Sequence, residues 1–157
     1  MTEEFRTLRD DEIEIILNSP AMVAVLIAGA DDDIDKDEIK SGIAFSEKKK
    51  LEEGEELAEY FSEVSTHFEN VQNNYINDLP ENLELRQNAI TSYLRQLNGI
   101  LPKIEEEISM KIYGFLLEMA KEVAQASGGV MGFNKTSKDE AAFTGLDMIK
   151  DPSENQY

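Results

Sequence analysis

Ser19-Pro20-Ala21-Met22-Val23-Ala24-Val25-Leu26-Ile27-Ala28-Gly29-Ala30-Asp31-Asp32-Asp33-Ile34-Asp35-Lys36-Asp37-Glu38-Ile39 is the stretch on which the reading of this chain turns. Its first half, Ala21 to Ala30, is apolar on every side. A short helix without a polar face belongs at the centre of a helical globule rather than on its surface. Ser19 and Pro20 read as the start of that helix, since Ser caps well and Pro suits the first helical position. The second half changes character abruptly. Asp31, Asp32, Asp33, Asp35, Asp37 and Glu38 put six carboxylates in eight residues. Asp35 and Glu38 fit a capping box, with Asp in place of the usual Ser or Thr.

A related unit recurs near the other end of the chain. Ala124-Gln125-Ala126-Ser127-Gly128-Gly129-Val130 repeats the pattern of Ala28, Ala30 and Ile34. After the insertion Met131 to Thr136, Ser137 and Glu140 stand where Asp35 and Glu38 stand in the first copy. On this reading the same helix, turn and capped helix are used twice.

Elsewhere apolar residues recur at helical spacing and strand-like alternation is absent, which predicts an all-α chain. Phe5, Leu8, Ile13, Ile16 and Leu17 mark a first amphipathic helix ending near Asn18. Ile39, Ile43 and Ala44 mark the inward face of the helix after the acidic turn, and Gly54 a break beyond it. Leu57, Phe61, Val64, Phe68, Val71 and Tyr75 form one seam of about five turns. That length suits packing within one domain better than a coiled-coil dimer. Asp78-Leu79-Pro80 ends it. Leu83, Ile90, Leu94, Leu97 and Leu101 line a further helix, closed by Gly99 and Pro102. Ile104, Ile108, Ile112, Phe115, Met119 and Val123 line the next, with Glu105, Glu106 and Glu107 favourable to its N-terminal dipole. A last helix is expected from Ser137 to about Ile149. The expectation is a compact single-domain bundle of about seven helices with an internal repeat, spanning 1–150, and a flexible tail at 151–157.

The 157 residues suffice for one real core, and 41% apolar content is ordinary for a globular protein. The charge is not ordinary: 15 Lys and Arg against 33 Asp and Glu give −18. Such a surface repels phosphate backbones and anionic lipid, and favours cations or basic protein partners. The absence of Cys removes disulfides, thiolate zinc sites and cysteine nucleophiles. No apolar run is long enough to span a bilayer. The acidic N-terminus does not resemble a signal peptide, so a cytoplasmic location is expected.

Hard cations such as Ca²⁺ or Mg²⁺ take oxygen ligands. Asp31-x-Asp33-x-Asp35 resembles the start of an EF-hand loop, but Lys36 replaces its Gly and Gly42 its final Glu. A different arrangement stays open, with Asp31 and Asp33 from the turn and Glu38 from the helix that follows. The alternative is a solvated, well-capped helix start. Met131 and Phe133 in the insertion either tuck into the core or offer a contact patch. His67, the only histidine, lies beside the seam and reads as a boundary residue. No residue is nominated as catalytic, and an enzyme is not expected.

The segment Val25 to Glu38, an apolar helix followed by Ala30-Asp31-x-x-Ile34-x-x-x-Glu38, resembles the signature of the TerB-like (tellurite-resistance B) superfamily. Ala126-Ser127-Gly128-Gly129-Val130 with Ser137-x-x-Glu140 resembles its second motif with an insertion. The resemblance implies a compact all-helical domain with a cation site between the repeats. Asp31 and Glu38 take the acidic positions of the first motif and Glu140 that of the second. The motif Gly is Asp32 here, and the second motif Asp is Ser127. The resemblance further implies a non-enzymatic protein of tellurite or general stress responses that works with a protein partner. A purely structural or adaptor module without metal is the competing expectation.

Overall fold

In the computed structural model, residues 3–30, 36–52, 57–126 and 143–156 are described. They are all-helical. Among them are five long helices, α1 (Asp10–Ala28), α2 (Lys36–Glu52), α3 (Ala58–Asp78), α4 (Leu83–Arg95) and α6 (Glu106–Ala126), and a single-turn helix α5 (Leu97–Ile100). Short 3-10 turns at Glu3–Phe5, Leu101–Lys103 and Pro152–Gln156 complete the set. The sequence predicts about seven helices; the differences lie at the two ends of the chain and at Gln96, where the one helix expected to carry Leu83 to Leu101 divides into α4 and α5.

At the first end, α1 does not stop near Asn18 and restart at Pro20. It runs through both as one helix. Proline lacks the N–H that would bond the Ile16 carbonyl one turn back, which normally breaks a helix. Here that carbonyl accepts from the buried Tyr60 hydroxyl of α3 at 3.2 Å. The Ser19 hydroxyl donates to the Ile15 carbonyl at 2.6 Å. The freed backbone is satisfied from outside the helix, so Pro20 is carried in its interior. Burial pushes the Tyr60 hydroxyl far above the ordinary tyrosine value, which keeps it a donor.

At the other end, residues 143–149 form turns where a final helix is expected. Ser137 to Ala142 lie outside the described residues. The Asn98 amide fixes the turns by donating to the Met148 carbonyl (2.9 Å) and accepting from the Lys150 N–H (2.8 Å). Leu146, fully buried at a φ of 48°, is held in the left-handed region by that packing. Residues 151–156, expected as a frayed tail, include a 3-10 turn with Pro152 buried.

The core confirms the apolar pattern of α1. Every residue from Ala21 to Ala28 is 2% exposed or less. Helices α2, α3, α4 and α6 pack around it. The seam of α3 buries Phe61, Val64 and Phe68, and that of α6 buries Ile108, Ile112, Phe115, Met119 and Val123. Aromatic rings join them: Phe61 meets Phe115 edge-on at 4.9 Å, and Phe115 stacks with Phe45 at 5.9 Å.

The inward face of α2 is not the expected one. Ile39 and Ile43 are half-buried and Ala44 is exposed, whereas Glu38, Gly42, Phe45 and Ser46 are buried. Gly42 explains the rotation. A β-carbon there would lie 3.2 Å from the Ala24 β-carbon and 3.3 Å from the Phe68 ring. The bare backbone lets α2 settle close against α1 and α3, and Glu38, one turn earlier on the same face, goes inside with it.

The N-terminus of α1 is tied to the 3-10 turn Leu101–Lys103 that precedes α6. Glu12 is buried, accepts from the Arg9 N–H (3.1 Å) and pairs with the Lys103 ammonium at 2.7 Å. The Lys103 hydrogen bond, followed by that of the Arg9 N–H, holds the Glu12 carboxyl below its ordinary value of 4.5. A carboxyl depressed on folding contributes stability that is complete above the ordinary value and is lost as pH falls through the lower folded one. Melting temperatures followed from pH 6 downward will therefore fall less steeply below about pH 4.5 in Glu12→Gln than in wild type.

Tyr60→Phe, which orphans the Ile16 carbonyl, will cost about 1–3 kcal/mol in urea unfolding. In a Pro20→Ala background, where the substituted residue can supply the N–H, the same substitution will cost measurably less.

Candidate functional site

The direction of the helices decides whether the two elbows of the sequence can meet. Short connections make α1 and α2, and α2 and α3, antiparallel neighbours. The C-terminal end of α1 therefore lies beside the N-terminal end of α2 and the C-terminal end of α3. Helix α6 runs antiparallel to α2. Phe45 meets Phe115, and, one turn earlier in α2, the Ser41 hydroxyl donates to the Glu122 carbonyl further along α6 at 3.2 Å. The C-terminal end of α6 thus reaches the same end of the bundle. The segments that follow Ala30 and Ala126 leave from that one end.

Of the residues expected to hold a cation, Glu38 is described, and Asp31, Asp33 and Glu140 lie outside the described residues. Glu38 is fully buried. Since α2 begins at Lys36, Glu38 holds the third helical position, where the carboxylate of a capping box belongs and the helix dipole favours it. Asp35, the other half of that box, is outside the described residues. No group of three or more His, Cys, Asp or Glu able to hold a metal occurs among the described residues. Any such site therefore draws ligands from the elbows themselves.

Two further polar residues are buried at this end. Gln72 of α3 is fully buried. Arg86 of α4 is 5% exposed, and its guanidinium donates to the Gly29 carbonyl at 2.7 Å and to the Glu81 carbonyl at 3.4 Å. Its neighbour Gln87 donates to the Ala30 carbonyl at 3.4 Å. The carbonyls at the end of α1 carry partial negative charge, and a cation there satisfies both the hydrogen bond and the dipole. Arg86 and Gln87 so fix the two residues from which the acidic turn departs.

Neither Gln72 nor Arg86 stands out in a reading of the sequence, although a signal is present. Gln72 follows Phe68 by one turn on the seam of α3. Arg86 lies on the same face as Leu83 and Ile90. A polar residue on an apolar stripe is the mark of a buried polar group, and a stripe read only for its apolar members hides it.

His67 is on the outside of α3, 3.5 Å from Glu63, with both side chains substantially exposed. It borders a groove of about 170 Å³ with Leu17, Ala21, Val64 and Val71, in which no hydroxyl or thiol nucleophile stands. Two larger grooves, about 350 and 370 Å³, share Arg95 as a common wall. No helix among the described residues is long and apolar enough to cross a membrane.

Comparison with protein-family models, with curated proteins and with solved structures finds no match to this chain.

The Arg86 contact is open to direct test. Arg86→Gln shortens the side chain and leaves the Gly29 carbonyl without its charged donor. A loss of about 1.5–3 kcal/mol is expected in chemical denaturation, the range for hydrogen bonds to charged groups.

Proposed function

We propose that this chain is a non-enzymatic acidic helical domain that binds a hard divalent cation at the end of the bundle where its two elbows leave. Asp31, Asp33 and Glu38 would supply the ligands, with Glu140 from the second elbow. The observation that carries the reading is the convergence of the α1, α2 and α6 ends beside a fully buried carboxylate. The donor set is oxygen throughout, which fits Ca²⁺ or Mg²⁺ and not a soft metal.

The resemblance to the TerB-like superfamily rests on Ala30, Asp31, Ile34 and Glu38. It supports a setting in tellurite or general stress responses and a protein partner at the same acidic end. The charge of −18 favours a partner with a basic face.

A second reading is favoured by Arg86. A guanidinium already sits at the base of the acidic turn, so the domain could be an adaptor whose turn needs no metal. Thermal melts separate the two. After EDTA treatment and dialysis, about 1 mM Ca²⁺ or Mg²⁺ is expected to raise the melting temperature, as mass action requires for a ligand of the folded state. The rise should vanish in Asp31→Asn combined with Glu38→Gln. An unchanged wild-type melting temperature across Ca²⁺, Mg²⁺ and Mn²⁺ would leave the metal-free adaptor standing.

A further inference from the structure

The turns at 143–150 are held more firmly than a surface connection requires. Leu146 is fully buried in the left-handed region, at a φ of 48°. A residue with a bulky side chain stays there only where its surroundings over-determine it, and such residues gather at ligand clamps and active sites. The surroundings here are specific. The Leu146 N–H donates to the Phe143 carbonyl and the Ile149 N–H to the Leu146 carbonyl, both at 2.9 Å. Asn98 clasps the same turns at Met148 and Lys150, and Ile149 is buried beside Leu146. The backbone so fixed brings Phe143, Asp147, Met148 and Lys150 to a groove of about 370 Å³, which Thr91 and Arg95 line from α4. That volume lies within the range of small-molecule sites.

The charges in the groove differ from those of the chain. Carboxylates outnumber Lys and Arg by 33 to 15, so a cation has partners to choose from. Of the four arginines, Arg6 and Arg9 pair with carboxylates and Arg86 with carbonyls. Arg95 has neither kind of partner among the described residues. Its place in the last turn of α4 suits the helix dipole, yet its guanidinium donates to no carbonyl there. Lys150 is exposed and also unpaired among the described residues. Asp147 is the one carboxylate on the groove, which leaves one positive charge in excess. Phe143 and Met148, both half-buried, give it an apolar surface.

We propose that this groove binds a small monoanion, a carboxylate carried on an apolar or aromatic body. Arg95 takes the carboxylate with its planar fork, Lys150 adds a second positive charge, and the body lies on Phe143 and Met148. One excess positive charge matches one negative charge. The −18 of the whole chain and Asp147 on the groove disfavour a polyanion such as nucleic acid. The site shares no residue with the cation reading above and does not depend on it.

The test titrates the full chain with sodium benzoate at constant ionic strength, in wild type, Arg95→Gln, Lys150→Gln and Asp147→Asn. Amide nitrogen–proton correlation spectra report binding and its location. Benzoate is expected to shift the amides of 91–98 and 143–150 saturably. Arg95→Gln is expected to weaken binding at least about tenfold, the loss that removal of a hydrogen bond to a charged group brings. Lys150→Gln is expected to weaken it less. Asp147→Asn is expected to strengthen it, by removing the opposing charge. All three side chains are exposed, and unchanged melting temperatures will show the fold intact. Benzamide, with the same ring and no charge, and phenyl phosphate, with the other anion that a guanidinium accepts, are titrated alongside and are expected to bind more weakly. Either one binding as tightly as benzoate would overturn the carboxylate assignment. Benzoate affinity that survives Arg95→Gln, or the absence of saturable shifts in wild type, would overturn the site itself.

Discussion

A helix that is apolar on every side has to be covered on every side, and the burial of Ala21 to Ala28 in α1 is the constraint from which the rest of this structure follows. Residues of that kind gain only if helices close around them, so α2, α3, α4 and α6 are arranged as a jacket. Small side chains set how tightly the jacket fits. Ala24 on α1 and Gly42 on α2 let two backbones approach to near contact, with the Phe68 ring filling the remaining angle. That approach has a cost on the same face. Glu38 is carried into the interior because it lies one turn from Gly42, and a rotation of α2 that freed it would separate Gly42 from Ala24.

The two ends of the bundle are chemically different as a result. Around the N-terminal half of α1 the fill is aromatic. Phe5, Tyr60, Phe61, Phe115 and Phe45 form a chain of ring contacts with centroid spacings from 4.9 to 5.9 Å. There the Tyr60 hydroxyl is used to answer the carbonyl that Pro20 abandons. Around the C-terminal half of α1 the fill turns polar, with Glu38, Gln72 and Arg86 all buried. Polar groups in a low-dielectric layer interact strongly with whatever they face, and they are the part of a core in which packing alone does not decide the residue. The aromatic end accounts for folding, and the polar end is where a role beyond folding has to be sought.

The parts of this arrangement that are legible in the sequence are those set by local period. The seams of α3 and α6 can be read directly because three- and four-residue steps reflect a helix face. Pro20 misleads because the group that rescues it, the Tyr60 hydroxyl, comes from 44 residues beyond the Ile16 carbonyl it bonds, and nothing near Ser19 announces it. The face of α2 misleads because its inward residue of greatest consequence is Gly42, which carries no hydrophobic signal. At the site, the apolar-to-acidic boundary at Ala30 is plain, and the ends of α1, α2 and α6 lie together at one end of the bundle. Gln72 and Arg86 stay hidden, since pattern reading rewards apolar residues on a stripe and passes over polar ones. Whether a buried polar group is a flaw or a site depends on its partners, and partners belong to the tertiary structure.

Charge decides how the polar end should be weighed. Arg86 brings one guanidinium to the Gly29 carbonyl, and it does so through the backbone, satisfying the end of α1. The segment from Asp31 to Glu38 carries six carboxylates against a single Lys36. One guanidinium already committed to carbonyl oxygens does little to offset that density. Two like charges 4 Å apart repel by about 4 kcal/mol at the effective dielectric of a protein surface, and salt relieves exposed groups far more than buried ones. Of these six carboxylates, Glu38 is the one that the close fit of α2 has withdrawn from solvent. Arg86, by holding the Gly29 carbonyl, anchors the end of α1 from which that acidic segment departs.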